Sequence, residues 1–468
     1  MTDLAALSAR ALAAAIRDRK VSSLEATQAA IQRLAACHEL THCIVSLEAA
    51  QALDAARATD AAIAAGRAPG PLAGVPMAHK DMFDRTGRIA SWGANIRADS
   101  PAGRDAAAIA AFKTAGALQI ATLHLTEFAY GPTGHNYVLG HARNPWDPAR
   151  ITGGSSAGTA AAVAYGAIPM GFGSDTGGSL RLPAACCGVT SMKPTWGRVS
   201  RAGAMPLAPA LDTIGLIARH VEDLAVGLGL LAGPDPRDPA AAHVPVPDYV
   251  ARLGDPVAGL RVGLDETVAS QAHPDVQRMV DRVLVILETL GLKRAACAFP
   301  DWQTLDHLVQ LVQLPDAAAA HAALLRKRPQ DYGPQVRARL EVGHFIPAVD
   351  HLTALRARGA YVQRTLDQTF KDIDVAILPV LADPLPTIAE LDVGGGPSVQ
   401  AAMARVVKFT RPVNYLGLPT LTLPVPRDSG LPNGIQLVGR PFAEAQLLAI
   451  GQAYQREVPP ELAQRLDT

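Results

Sequence analysis

The sequence predicts a single α/β domain. Three observations carry this. Strand-like apolar stretches alternate with helical patterns along the whole chain, no repeat period interrupts them, and the composition is that of an ordinary globular protein. At 468 residues, with 49% hydrophobic and 18% charged residues, the chain has enough apolar material for a large core. Aromatic residues are only 4% while alanine is abundant, so the core is expected to rest on close helix contacts rather than large rings.

Residues 8–36 read as two amphipathic helices. Ser8 is a candidate cap for the first, and Ser22 with Glu25 has capping-box spacing for the second. A third helix is expected over 47–65, and Gly70-Pro71 then breaks the pattern. Val75 to His79 reads as a short strand running into Lys80-Asp81. Residues 104–118 form an alanine-rich helix, and Leu118 to Leu123 a strand. Turn formers crowd 131–154 and predict a long ordered loop. A helix over 156–166, a strand over 168–173 and a glycine-rich turn from Ser174 to Gly178 follow. Gly233 to Pro247 suits a surface connection. Residues 275–292 and 349–372 look helical, while Val375 to Leu378 and Thr420 to Val425 look like strands.

Charge and cysteine usage exclude several functions. Lys plus Arg and Asp plus Glu are both 43, so no net field draws the molecule to nucleic acid or an anionic membrane. No apolar stretch near the length of a membrane span is free of charges or breakers, and the charges from Arg10 to Lys20 do not suit a signal peptide. Cys37, Cys43, Cys186, Cys187 and Cys297 are odd in number and scattered, with no zinc-type spacing. Reduced thiols in a cytoplasmic protein are the expectation.

The chemistry concentrates in two motifs, Gly153-Gly154-Ser155-Ser156-Ala157-Gly158 and Gly173-Ser174-Asp175-Thr176-Gly177-Gly178-Ser179. A helix of about 11 residues advances roughly 16 Å, and a strand of about six residues returns roughly 20 Å. If the two pack antiparallel, Ser155 and Ser179 come side by side. Gly177 and Gly178 allow a sharp turn whose exposed N–H groups can hold an oxyanion. A serine needs a base, and no histidine lies near either motif in sequence. Lys80 ends an apolar stretch, and desolvation is what lets a lysine act as a base.

These residues resemble the amidase signature family. The likeness begins at Pro71-Leu72-Ala73-Gly74-Val75-Pro76 with Lys80-Asp81, and runs through Thr126-Glu127-Phe128-Ala129 and Arg143-Asn144-Pro145-Trp146. It is densest across the two serine motifs and continues into Leu180-Arg181-Leu182-Pro183-Ala184. Leu211-Asp212-Thr213-Ile214-Gly215 and Asn414-Tyr415-Leu416-Gly417-Leu418-Pro419 extend it, leaving out roughly 235–400. The resemblance implies one domain over residues 1–468, a mixed twisted sheet surrounded by helices, with 235–400 at the pocket mouth. It implies a Ser–cis-Ser–Lys triad: Ser179 as nucleophile, Ser155 as bridge after a cis peptide bond, and Lys80 as neutral base. Backbone N–H groups of Thr176, Gly177 and Gly178 would hold the oxyanion, and Asp175 and Arg181 would brace the loop. Ala157, Ser174, Met192 and Leu216 depart from the common pattern without removing a triad group.

Plainer readings exist for each residue. Ser155 or Ser156 could be a helix cap. Gly154 to Gly158 also fits GxSxG, which would make Ser156 the nucleophile of an α/β-hydrolase esterase. A lone strand-end lysine is usually solvated. Phe128, Tyr130 and His135 could line the acyl pocket or fill the core. His79 and Cys186-Cys187 suit the core, Asp81 suits a strand-end tie, and Arg181 a structural brace. The expected activity is hydrolysis of an amide C–N bond, with carbamates or esters sharing the chemistry. No metal or organic cofactor is implied. The partner is a small amide or carbamate, with no direct nucleic-acid or membrane contact and a homodimer possible. One alternative is the glutaminase component of a tRNA-dependent amidotransferase; another is a catalytically dead binding protein.

Overall fold

The computed structural model describes residues 4–67, 70–96, 101–396, 398–426 and 430–463. Among these, eleven strands form one sheet: β1 (Ile44–Leu47), β2 (Pro76–Lys80), β3 (Leu118–Leu123), β4 (Met170–Asp175), β5 (Thr190–Lys193), β6 (Thr213–Ala218), β7 (Arg261–Leu264), β8 (Lys293–Ala296), β9 (Val375–Pro379), β10 (Thr420–Pro424) and β11 (Gly434–Val438). Their spatial order is β1-β3-β2-β4-β6-β5-β10-β11-β9-β7-β8. Two parallel groups, β3-β2-β4 and β9-β7-β8, flank an antiparallel middle, and β1 adds an antiparallel edge. Every residue of β2, β4, β5, β6, β9 and β11 is buried. Both faces of the sheet are therefore covered, which accounts for strands that read as apolar runs rather than as alternation.

Local signals in the sequence match the elements they mark. Ser8 caps the helix Ala9–Arg17, and Ser22 with Glu25 closes a capping box on Ser23–Thr41. The helix expected over 104–118 is shorter, Ala107–Thr114, and the helix after the first serine motif is Ala157–Ala164. β4 reaches to Asp175, so Ser174 belongs to a strand end and not to the turn. Strands β5, β7 and β8 have four residues each, too few for a periodic pattern to register. The helix Trp302–Lys327 is long and apolar enough to cross a membrane by length and composition, though it carries Asp306 and Asp316. It contains Pro315, buries Leu305, Val309 and Val312, and packs against Pro334–Gly343, Ala348–Gln368 and Arg411–Leu416.

The sheet sets the site at one edge. β2 and β4 are parallel neighbours with Ala78 opposite Gly171 and His79 opposite Phe172. Lys80 and Ser174 therefore end side by side, at the carboxyl ends of adjacent parallel strands. The helix Ala157–Ala164 packs against β2, β3, β4 and β6. Its start lies against the turn after β4, because the Ser156 N–H donates to the Ser179 carbonyl at 3.2 Å. The helix–strand return expected from the sequence is present.

Gly158 lets this helix approach closely. A Cβ there would sit 2.5 Å from the His124 nitrogen and 2.6 Å from the Cys43 oxygen, both backbone atoms that cannot yield. Gly158→Ala is expected to cost about 1–3 kcal/mol through overpacking, measured as a lower urea midpoint. An unchanged midpoint would show that the helix is free to move away.

Candidate active site

Lys80 is fully buried at the end of β2. Its Nζ donates to Ser155 Oγ at 2.6 Å and to Ser174 Oγ at 3.0 Å. Burial brings its pKa down to about 7, against the opposing pull of Asp175 and Asp212. The Gly154–Ser155 peptide bond is cis. The Ser155 carbonyl accepts from the Thr126 N–H at 3.2 Å, and the Gly154 N–H donates to the Pro132 carbonyl at 2.7 Å. Thr126 and Pro132 thus fix the backbone on either side of that peptide bond.

Asp175 organises the turn that carries Ser179. Its carboxylate accepts from the Gly178 N–H at 2.8 Å and the Leu180 N–H at 3.1 Å, from two Arg181 nitrogens at 3.0 Å each, and from Asn414 Nδ2 at 2.8 Å. Burial pushes its carboxyl up, but the Arg181 guanidinium outweighs this and, with Lys193 and Asn414, holds it well below the usual carboxylate range. Arg181 is fully buried and also donates to the Thr410 carbonyl at 3.1 Å, to Gln436 Oε1 at 2.8 Å and to Asn414 Oδ1. Thr410 Oγ1 donates to the Gly177 carbonyl at 2.6 Å, and Thr176 Oγ1 to Asp212 Oδ1 at 2.6 Å. Gly178 has a φ of +130°, and a Cβ there would meet Thr410 Oγ1 at 2.5 Å, so only glycine fits.

This geometry corrects the expected oxyanion donors. The Gly178 N–H points at Asp175, which removes it from the set. Among the described residues no partner takes the N–H of Thr176 or Gly177. No local pattern signals that Asp175 folds back onto its own turn.

Ser179 lies 8% exposed beside a narrow cleft of about 20 Å³. Tyr130, Gly131, Thr176, Gly177, Arg339 and Arg411 are in its wall. Gln313 and Arg339 bring the stretch outside the resemblance to the cleft. Of the three expected pocket residues only Tyr130 lines it. Phe128 is buried against His321 and Tyr332 with ring centroids 4.6 and 5.2 Å away. His135 is turned to Thr133 Oγ1 at 2.8 Å and the Ile388 carbonyl at 3.0 Å. His135, His141 and Asp392 bring ligand-type atoms within 4.8 Å of one another, but those bonds already occupy both His135 ring nitrogens. A larger cavity of about 810 Å³, between Asp265 and Lys408, contains none of the expected site residues.

Ser156 is fully buried, and its Oγ donates to the Ser174 carbonyl at 3.4 Å, away from the cleft. The GxSxG reading falls with it. His79 is a core histidine bonded through Nδ1 to the Lys80 carbonyl, and Asp81 accepts from the Ser91 N–H at 2.9 Å. Sequence reasoning missed Arg339, Arg411, Gln313 and Thr410; none of them stands in a local pattern that marks it.

Fold and site together define a hydrolase acting on C–N bonds. The family model described as Amidase matches residues 25–448, and the chain belongs to the amidase signature family. Its relatives include a glutamyl-tRNA(Gln) amidotransferase chain of Moorella thermoacetica, 37% identical over 96% of each chain. The corresponding amidotransferase chain of Roseiflexus castenholzii is 36% identical over 93% of each chain. A solved chain from a vestigial protein complex, tied to the evolutionary origins of an s-triazine catabolic enzyme, has a TM-score of 0.89 and 33% identity, covering 97% of this chain and 100% of that one.

Breaking the Asp175–Arg181 pair should be costly, because it strands a buried charge. Arg181→Met is expected to lose about 3–5 kcal/mol at neutral pH. The folded carboxyl is held below its unfolded value, about 3.9. The pair's contribution is therefore present above that pH and is lost as pH falls below it. Urea unfolding of wild type and variant at pH 7 and pH 3 should show the gap narrowing in acid; a constant gap would mean that the bonds do not depend on ionisation.

Proposed function

We propose that the chain hydrolyses an amide C–N bond through an acyl-enzyme on Ser179. The observation that carries this is the bond from buried Lys80 to Ser155, beside the turn that presents Ser179 to the cleft. Lys80 is the base in its neutral form, which burial favours. Ser155 passes the Ser179 proton to Lys80 as Ser179 Oγ attacks the carbonyl carbon. The N–H groups of Thr176 and Gly177 receive the oxyanion. The proton returns through Ser155 to the leaving nitrogen as the C–N bond breaks. Water then adds to the acyl carbon as Lys80 takes its proton by the same route, and the ester bond breaks as that proton returns through Ser155 to Ser179 Oγ, leaving Lys80 neutral again. Asp175 and Arg181 position the turn without touching the substrate. Carbamates and esters would form the same kind of acyl-enzyme.

A second reading is supported by the names of the relatives. In it the amide is glutamine, and the chain is the ammonia-producing component of an amidotransferase that works with partner proteins. The chemistry at Ser179 is common to both readings.

Acylation requires neutral Lys80, whose pKa is about 7. Its rate should rise with pH, reach half its maximum near 7 and level off above, as read by the burst of an aryl ester. Ser179→Ala should abolish the burst. Lys80→Ala should slow acylation by about 10²-fold or more, and Lys80→Arg should not restore it. Recovery with arginine would show that the residue serves as a cation and not as a base.

A further inference from the structure

The cleft at Ser179 has an uneven charge. Two guanidinium groups, Arg339 and Arg411, stand in its wall, and among the described lining residues there is no aspartate or glutamate. Both are almost wholly buried, at 6% and 5% exposure. Arg411 has one carboxylate, Asp306, whose oxygens lie 3.0 and 3.1 Å from Nη2. Arg339 has none among the described residues. Its Nη1 donates to the Tyr130 carbonyl at 3.0 Å, and its guanidinium carbon sits 3.8 Å from the centre of the Tyr130 ring. The Nε of each arginine is buried without a hydrogen-bond partner, and so is the Tyr130 hydroxyl.

Burying a charge without a counter-charge is expensive, and each buried donor left unmade adds to the cost. A fold that keeps two arginines and three orphaned polar groups around one small cleft has left them for a ligand. The ligand's chemistry follows from theirs. Guanidinium groups pair with planar oxyanions, often through two parallel bonds. Arg411 also lies over the glycine turn, since a Cβ on Gly177 would come within 3.1 Å of its Cγ. The anion site therefore adjoins the reaction site.

We propose that the substrate is an amide bearing a carboxylate in its acyl half, held by Arg339 and Arg411, with no ammonium group near that carboxylate. This rests on the acyl-enzyme reading of Ser179. The acyl half is assigned because it must stay in place while the amine leaves and water enters. The ammonium is excluded because the wall itself carries no acid, and the one nearby carboxylate, Asp306, is already paired with Arg411. Hydrolysis yields a dicarboxylate and ammonia or an amine, with water supplying the oxygen and the protons. Glutamine, a zwitterion, fits this wall poorly, so the charge of the wall weighs against the glutamine reading.

Three amides of equal chain length test it on the wild-type protein: pentanamide, which is neutral; glutaramate, which adds the carboxylate; and glutamine, which adds the ammonium. The expected kcat/KM for glutaramate exceeds that for pentanamide by about 100-fold and that for glutamine by about 10-fold or more. Equal rates for pentanamide and glutaramate would overturn the proposal, and so would a preference for glutamine. In Arg339→Gln and Arg411→Gln the glutaramate-to-pentanamide ratio should collapse toward one, chiefly through KM. If instead all three substrates slow together and the ratio holds, the arginines are structural and the proposal fails. An aryl-ester burst on Ser179 keeps the two claims apart. A burst with no hydrolysis of glutaramate overturns the anionic substrate alone, while no burst overturns the Ser179 reading beneath it.

Discussion

The site depends on the buried ion pair of Asp175 and Arg181. Asp175 accepts the Gly178 and Leu180 N–H groups and thereby curls the chain that ends in Ser179. Arg181 fastens that curl to two distant segments, the helix start at Thr410 and Asn414 and the strand at Gln436. A buried ion pair stabilises little net of its desolvation. Its value here is geometric, because each oxygen and nitrogen of the pair fixes a different backbone segment around one turn.

Asp175 also faces the lysine. Lys80 is buried, and Asp175 is one of the two carboxylates whose charge favours its protonated form. Burial outweighs that pull and brings the lysine pKa down to about 7. The rigid turn and the base thus meet at one carboxylate, which Arg181 pairs at 3.0 Å. Asp212 presents the other carboxylate; burial raises its carboxyl, while it accepts the Thr176 hydroxyl and the N–H groups of Leu207 and Ala208.

What the sequence disclosed and what it hid divide along physical lines. Features fixed by neighbours in the chain were legible: the caps at Ser8 and Ser22, the strand running to Lys80, and the short helix and strand that return Ser179 to Ser155. Four-residue strands were not, because two or three alternations cannot be told from chance. Of the expected acyl-pocket residues only Tyr130 lines the cleft, next to the stretch Thr126-Glu127-Phe128-Ala129. Arg339 and Arg411 come from helices far apart in sequence, and their nearness exists only after folding. The role of Gly178 was hidden for the same reason, since a glycine turn does not reveal which of its N–H groups a carboxylate will claim.

This division bears on how far kinship informs function. The groups around Lys80, Ser155 and Ser179 sit on strand ends and glycine turns where packing permits little else. The cleft wall is subject to no such constraint. Arg339 and Gln313 belong to helices whose other faces make the contacts that hold the fold. Their cleft-facing side chains could change without disturbing the sheet. The charge of that wall, two cations and no lining acid, is set by these side chains and not by the sheet. Kinship speaks for the bond that is broken, and in the reading proposed here the wall speaks for the molecule that contains it.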